Sequence, residues 1–224
     1  MPRRILKKNP KKAIYVFWEG ESEEVYTKCI KEAFSKRATI YTHREKGTFS
    51  TAKAFYRGNT KFRENLPEYD EIWFFFDTEL DKANQWETNW ECLEEVLAAK
   101  HPNDFRIRLL MTSGCVEYWF LLHYEKVAPV IISPADKGRV QEQLKTYVPT
   151  YQKGDYQSTQ MIAEQYEKGI INGRWSLERL IPEGLPQKRG KVRAPRDHWL
   201  YKGEHTFTTV HEAIEYLRNL PEML

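Results

Sequence analysis

The sequence has 224 residues, 41% hydrophobic and 30% charged. That balance belongs to a globular chain large enough to bury a core without disulfides, and it argues against disorder. Net charge is only +3, and a mean hydropathy of −0.71 without any long apolar run excludes a membrane-spanning helix.

The start, Met1-Pro2-Arg3-Arg4, is basic and is followed by no apolar stretch of signal-peptide length, so a cytoplasmic protein without a membrane partner is expected. Cys29, Cys92 and Cys115 are odd in number and isolated. They make neither a disulfide framework nor a Cys-x-x-Cys pair, and they are expected as small buried hydrophobes.

Taken along the chain, Ala13 to Trp18 is a continuous apolar run, as in a strand buried on both faces. Glu19-Gly20 breaks it. From Ser22, the residues Val25, Cys29, Ile30, Ala33 and Phe34 recur at helical spacing, with Glu21, Glu23 and Glu24 in the first turn, where acids suit the helix dipole. Thr39 to Thr42 predicts a short strand, and Thr51 to Asn65 a helix ended by Pro67. Glu71 to Phe76 is the most strand-like stretch, stopping at Asp77-Thr78-Glu79-Leu80-Asp81. A helix with Trp86, Trp90 and Leu93 follows, then a strand from Phe105 to Met111 and a helix from Val116 to Tyr124. This alternation predicts an α/β fold with a parallel sheet flanked by helices.

After Pro129 the character changes. Ser133-Pro134 predicts a helix start, Thr159 to Lys168 another helix, and Ile181 to His205 a long Gly- and Pro-rich loop. Thr209-Val210-His211-Glu212 has capping-box spacing before a final helix. One domain is expected, with a core over about residues 13–125 and a helical C-terminal extension over about 133–224.

In an open parallel sheet, ligands bind beyond the carboxyl ends of the strands. Here those ends carry Glu19, then Asp77, Glu79 and Asp81, with Glu117 opening the helix after the last strand. Converging carboxylates repel unless a cation holds them, and hard oxygen ligands suit magnesium or manganese, which serve phosphodiester chemistry. The competing reading is that these acids cap the helices that follow them; Asp81 in particular is placed to cap the helix of Trp86 and Trp90.

Two basic clusters, Arg3, Arg4, Lys7, Lys8, Lys11 and Lys12, and Lys188, Arg189, Lys191, Arg193 and Arg196, either collect phosphates or are solvated segments. His43, with Arg44 and Lys46, is a candidate phosphate contact or a surface loop. His123 is a candidate whose expected role is a structural hydrogen bond. Trp175, Trp199 and Tyr201 are candidate base-stacking residues. There is no Walker A motif, no Gly-rich dinucleotide loop and no Gly-x-Ser-x-Gly, which argues against nucleotide or ester hydrolysis by this chain.

Several segments together resemble the RloB-like family. They are Glu19-Gly20-Glu21-Ser22-Glu23 after the first strand, Phe76-Asp77-Thr78-Glu79, and Ser113-Gly114-Cys115-Val116-Glu117-Tyr118-Trp119-Phe120-Leu121-Leu122-His123. Leu144 to Lys153 and Thr208 to His211 are also similar, so the likeness runs in order over most of the chain.

The resemblance implies a Toprim-like fold and a place in restriction and phage-defence loci beside an ABC- or AAA-type ATPase. It implies Glu19 as general acid/base, Asp77 and Glu79 as metal ligands, and Glu117 as a further acidic member. The Toprim strand end is usually Asp-x-Asp, and Asp77-x-Glu79 departs from it. The expected function is a divalent-metal-dependent nuclease (Mg2+ or Mn2+) acting on DNA or RNA as a defence effector. The alternative is a non-catalytic nucleic-acid-binding or ATPase-partner module on the same scaffold.

Overall fold

A computed structural model describes residues 11–65, 68–98, 106–187 and 194–223. Four strands, β1 (Lys12–Trp18), β2 (Ala38–Thr42), β3 (Glu71–Thr78) and β4 (Arg106–Ser113), form one all-parallel sheet in the order β2-β1-β3-β4. Parallel pairing requires long crossovers. These are supplied by α1 (Glu21–Ala33), by α2 (Phe49–Gly58) with α3 (Thr60–Asn65), and by α4 (Trp86–Ala98). The order reverses between β1 and β3, which places a crevice at their carboxyl ends.

β3 is buried along nearly its whole length because both sheet faces are covered. By strand alternation, Trp73 and Phe75 enter one core with Ile14, Val16, Tyr26 and Ile30, while Ile72, Phe74 and Phe76 enter the other with Phe17, Phe49 and Trp86. A buried Arg108–Glu71 ion pair of 2.9 Å fixes the start of the sheet, with Trp73 Nε1 donating to the same carboxylate at 2.6 Å. All three cysteines are buried and unpaired, as their apolar settings predict.

The remainder is helical: α5 (Val116–Leu121), α6 (Pro134–Tyr147), α7 (Tyr156–Ala163), α8 (Tyr166–Glu178), α9 (Ala194–Lys202) and α10 (Val210–Asn219). The predicted start at Ser133-Pro134 is a complete capping box: the Ser133 hydroxyl accepts from the Asp136 N–H, and the Asp136 carboxylate accepts from the Ser133 N–H. No described helix is long and apolar enough to cross a membrane.

Several sequence expectations are corrected. The helix predicted over 51–65 is two helices, broken at Asn59, whose side chain caps the second by accepting from the Phe62 N–H at 2.8 Å. The helix predicted over 159–168 is likewise two, the first capped by Asp155, a cap the apolar spacing did not reveal. The loop predicted over 181–205 contains α9. Its Leu200 and Tyr201 are buried against the sheet core, and its Arg196 and Asp197 are buried as a pair instead of meeting solvent.

The Thr209 capping box does not form, since the hydroxyl is used elsewhere. Thr209 Oγ1 donates to the Leu109 carbonyl at 2.7 Å and accepts from the Met111 N–H at 2.8 Å. Thr112 and Thr208 form an antiparallel bridge beside it. Segment 207–209 thus covers the β4 edge, which would otherwise present unpaired backbone groups.

Candidate functional site

Glu19, Asp77, Glu79 and Glu117 line a single crevice of about 370 Å³ at the carboxyl ends of β1 and β3. Each arrives by a different route. Glu19 ends β1, and its backbone N–H donates to the Phe75 carbonyl at 3.0 Å, holding it against β3. Asp77 still belongs to β3, one residue beyond the predicted strand end, and alternation puts it on the face of Trp73 and Phe75. Glu79 follows immediately. Glu117 lies in the first turn of α5, which begins after Gly114 turns the chain at φ +75°. A Cβ on Gly114 would stand 2.2 Å from the Ile131 side chain, so only glycine fits there.

The residue that sequence reasoning missed is Glu23. Read as a companion of the helix dipole, it is buried in the crevice wall instead. Gly20 makes this possible, because a Cβ there would lie 2.8 Å from Glu23 Oε2. The signal was present in the sequence: Gly20 is the N-cap of α1, and Glu23 holds the third helical position, where a glutamate side chain folds back.

Two of the acids in the crevice, Glu23 and Asp77, have a raised proton affinity. Glu23 is pushed up to about 7, chiefly by burial, with Glu19 and Glu117 adding to it and its own backbone N–H and Lys153 opposing. Asp77 is held well above the usual carboxylate range, first by burial and then by Glu23, Glu19 and Glu117, with Lys137 opposing. Its Oδ1 is buried with no hydrogen-bond partner among the described residues. A buried acceptor left unpaired is costly.

Two lysines from the helical extension enter the same crevice. Lys137 of α6 pairs with Glu79, and Lys153 approaches Glu117 Oε1 at 3.3 Å. Tyr151 also donates to Glu117 Oε1, at 3.0 Å. Burial works against the charge of Lys153, but the Glu117 carboxylate outweighs it and raises the ammonium above its ordinary value. The acids therefore do have cationic partners, contrary to the expectation from the strand ends alone, because those partners lie far away in sequence.

Among the described residues, no three His, Cys, Asp or Glu side chains are already arranged as a metal-ligand set. The donor chemistry nonetheless fits a hard divalent cation: several carboxylate oxygens, one of them orphaned among the described residues, in a crevice where Glu23 and Asp77 are driven toward protonation.

The other candidates fare differently. Asp81 lies inside a 3-10 turn, Leu80–Gln85, whose N-cap is Glu79, so it does not cap the Trp86 helix as expected; its side chain lies outside the described residues. His123 is buried, with Nδ1 2.9 Å from the Trp119 carbonyl and Nε2 3.2 Å from the Tyr26 hydroxyl, and burial lowers it to about 4. That is the structural role expected for it.

Arg196 is not a phosphate collector. It is buried and paired with Asp197 at 3.1 Å and Glu212 at 2.7 Å. Lys12 pairs with Asp70, and Lys11 donates to the Ser35 carbonyl; the rest of both basic clusters lies outside the described residues. Tyr201 is buried and accepts from Asn89 at 3.1 Å, so it offers no stacking face. Trp199 stacks on His205 at 4.0 Å, and Lys126 covers Trp175 at 5.1 Å.

Fold and site together define an α/β protein with an acidic crevice at the switch point of a four-stranded parallel sheet. Residues 14–217 match the profile of the RloB-like protein family, and the chain belongs to that family. No curated protein and no solved structure matches the chain.

Proposed function

We propose that this protein is a divalent-metal-dependent nuclease of Toprim type that hydrolyses phosphodiesters of DNA or RNA. The observation that carries this reading is the buried Asp77 Oδ1, without a hydrogen-bond partner among the described residues, beside Glu19, Glu23 and Glu117 at a strand switch point. A bound magnesium or manganese ion would neutralise these acids and stabilise charge developing on phosphate oxygens. Asp77 and Glu79 are the residues to hold it, with Glu19 at the rim.

Glu19 would take a proton from the attacking water or donate one to the leaving oxygen, since it lies in the crevice and carries a carboxylate. Lys137 and Lys153 would turn from Glu79 and Glu117 toward the phosphate once the acids are neutralised otherwise. A role as a defence effector beside an ABC- or AAA-type ATPase is proposed from the family resemblance alone.

One observation favours the rival reading, a non-catalytic nucleic-acid-binding or ATPase-partner module. Lys137 and Lys153 already compensate two of the acids, and no ligand set is preformed among the described residues. A cleavage assay on DNA and total RNA, titrated with Mg2+ and Mn2+, separates the two. The nuclease reading expects metal-dependent cutting by the wild type and none by Asp77→Ala. Equal products from both proteins would remove Asp77 from the chemistry, and no products at any metal concentration, with or without the ATPase, would leave only the binding module.

A further inference from the structure

A second cavity, of about 610 Å³, opens beside the β2 edge of the sheet, within the size range of small-ligand pockets. Its wall is aromatic. Tyr15 packs edge-on against Tyr69 at 5.3 Å and lies 5.0 Å from Phe62, while Tyr41 meets Tyr69 at 5.5 Å. Tyr41 is 44% exposed, so part of its ring faces solvent at the rim.

Three exposed cations, Lys31, Arg44 and Lys61, also line the cavity, and none pairs with a described carboxylate. Glu45 is the acid in the same lining. In the wall, His43 Nδ1 lies 3.0 Å from the Tyr15 hydroxyl, and burial lowers the proton affinity of this imidazole, which favours the uncharged ring. Aromatic faces, an uncharged polar pair and clustered cations match three parts of one ligand: a planar base, its hydrogen-bonding edge and its phosphate.

The position relative to the acids matters as well. Arg44 and Glu45 line this cavity, Lys46 lines the acidic crevice, and the Gly47 N–H is bonded to the Trp18 carbonyl at 2.9 Å. The segment 43–47 is therefore a wall shared by both.

We propose that this cavity binds the base and phosphate of an unpaired nucleotide. The assignment stands on the cavity's own lining. Only its consequence, that a bound strand is led past Arg44 and Lys46 toward Asp77, rests on the nuclease reading.

The test uses the full chain in EDTA, so that no cleavage enters. It is titrated with a short single-stranded oligonucleotide carrying a fluorescent purine analogue and, separately, with the analogue's mononucleotide. The wild type is expected to quench the fluorescence. Tyr41→Ala, and Arg44→Ala with Lys61→Ala, are expected to weaken binding on the order of tenfold while circular dichroism stays native, and Tyr41→Phe to bind as the wild type does.

Tighter binding of the oligonucleotide assigns a strand as the ligand, and equal affinity assigns a free nucleotide. Asp77→Asn is expected to bind normally, so a failure of the nuclease reading would not disturb this result. Absence of quenching, or quenching that the alanine variants leave unchanged, would overturn the proposal.

Discussion

Glu19 Oε2 accepts the backbone N–H of Asp77 at 3.1 Å. The acid that ends β1 is thus tied to the strand that carries the second acid, and the spacing of the two is set by the sheet rather than by a loop. Glu19→Gln keeps an oxygen for that bond and removes only the charge. Its melting temperature is expected to match the wild type within a degree or two, while cleavage falls about 100-fold or more. Full single-turnover activity in the folded variant would make Glu19 a purely structural residue.

Metal binding should answer oppositely to two kinds of substitution. Asp77→Ala with Glu79→Ala is expected to abolish manganese binding in calorimetry, since both remove oxygens proposed to hold the metal. Lys137→Ala removes the cation that holds Glu79 and is expected to tighten manganese binding severalfold, because a partly exposed ion pair is worth about 0.5–1 kcal/mol. Weaker binding in Lys137→Ala would mean that the lysine helps to build the site and does not compete for it.

Stability should depend on pH through Glu23. Its carboxyl, ordinarily at 4.5 and near that value in the unfolded chain, rises to about 7 in the folded protein. Between those values the native state holds a proton that the unfolded state has lost, so stability falls as pH rises through this window. Without metal, the melting temperature of Glu23→Gln should therefore exceed that of the wild type above pH 7, with the two converging toward pH 4.5. Added manganese should restore the wild type at the upper end. Parallel melting curves over the whole range would show that Glu23 does not titrate there.

Thr209→Val leaves the Met111 N–H and the Leu109 carbonyl without the hydroxyl that bonds both. A loss of about 1–3 kcal/mol is expected in urea unfolding. Thr209→Ser, which retains the hydroxyl, should lose much less. If valine costs little and serine costs more, the methyl packing matters and the hydrogen bonds do not.

The sheet was legible in the sequence because β1 and β3 are buried on both faces, and Ala-Ile-Tyr-Val-Phe-Trp and Ile-Trp-Phe-Phe-Phe can hardly be anything else. Glu19, Asp77, Glu79 and Glu117 were found because each directly ends a strand or opens the next helix. Glu23 was hidden by a competing explanation, the helix dipole, which fits Glu21 and Glu24 equally well. Lys137 and Lys153 were invisible for another reason: their meeting with Glu79 and Glu117 depends on how α6 and the loop after it dock, which no local period encodes. Helix α9 was missed because glycine, proline and charge dominate its flanks and mask the apolar pair Leu200 and Tyr201, and because Arg196 is buried in pairs with Asp197 and Glu212.

The clasp of residues 207–209 on β4 has a consequence for the order in which the molecule is made. Synthesis runs from the N-terminus, and the four strands leave the ribosome well before Thr208 does. Early in that interval the growing chain carries an acidic crevice still without Lys137 and Lys153, and throughout it the β4 edge is not yet closed. The nascent protein is then most exposed to strand addition by other chains. Emergence of the last helix closes the edge after both lysines have already been delivered. A ribosome-bound intermediate halted before residue 207 should accordingly recruit chaperones, and one released after α10 should not.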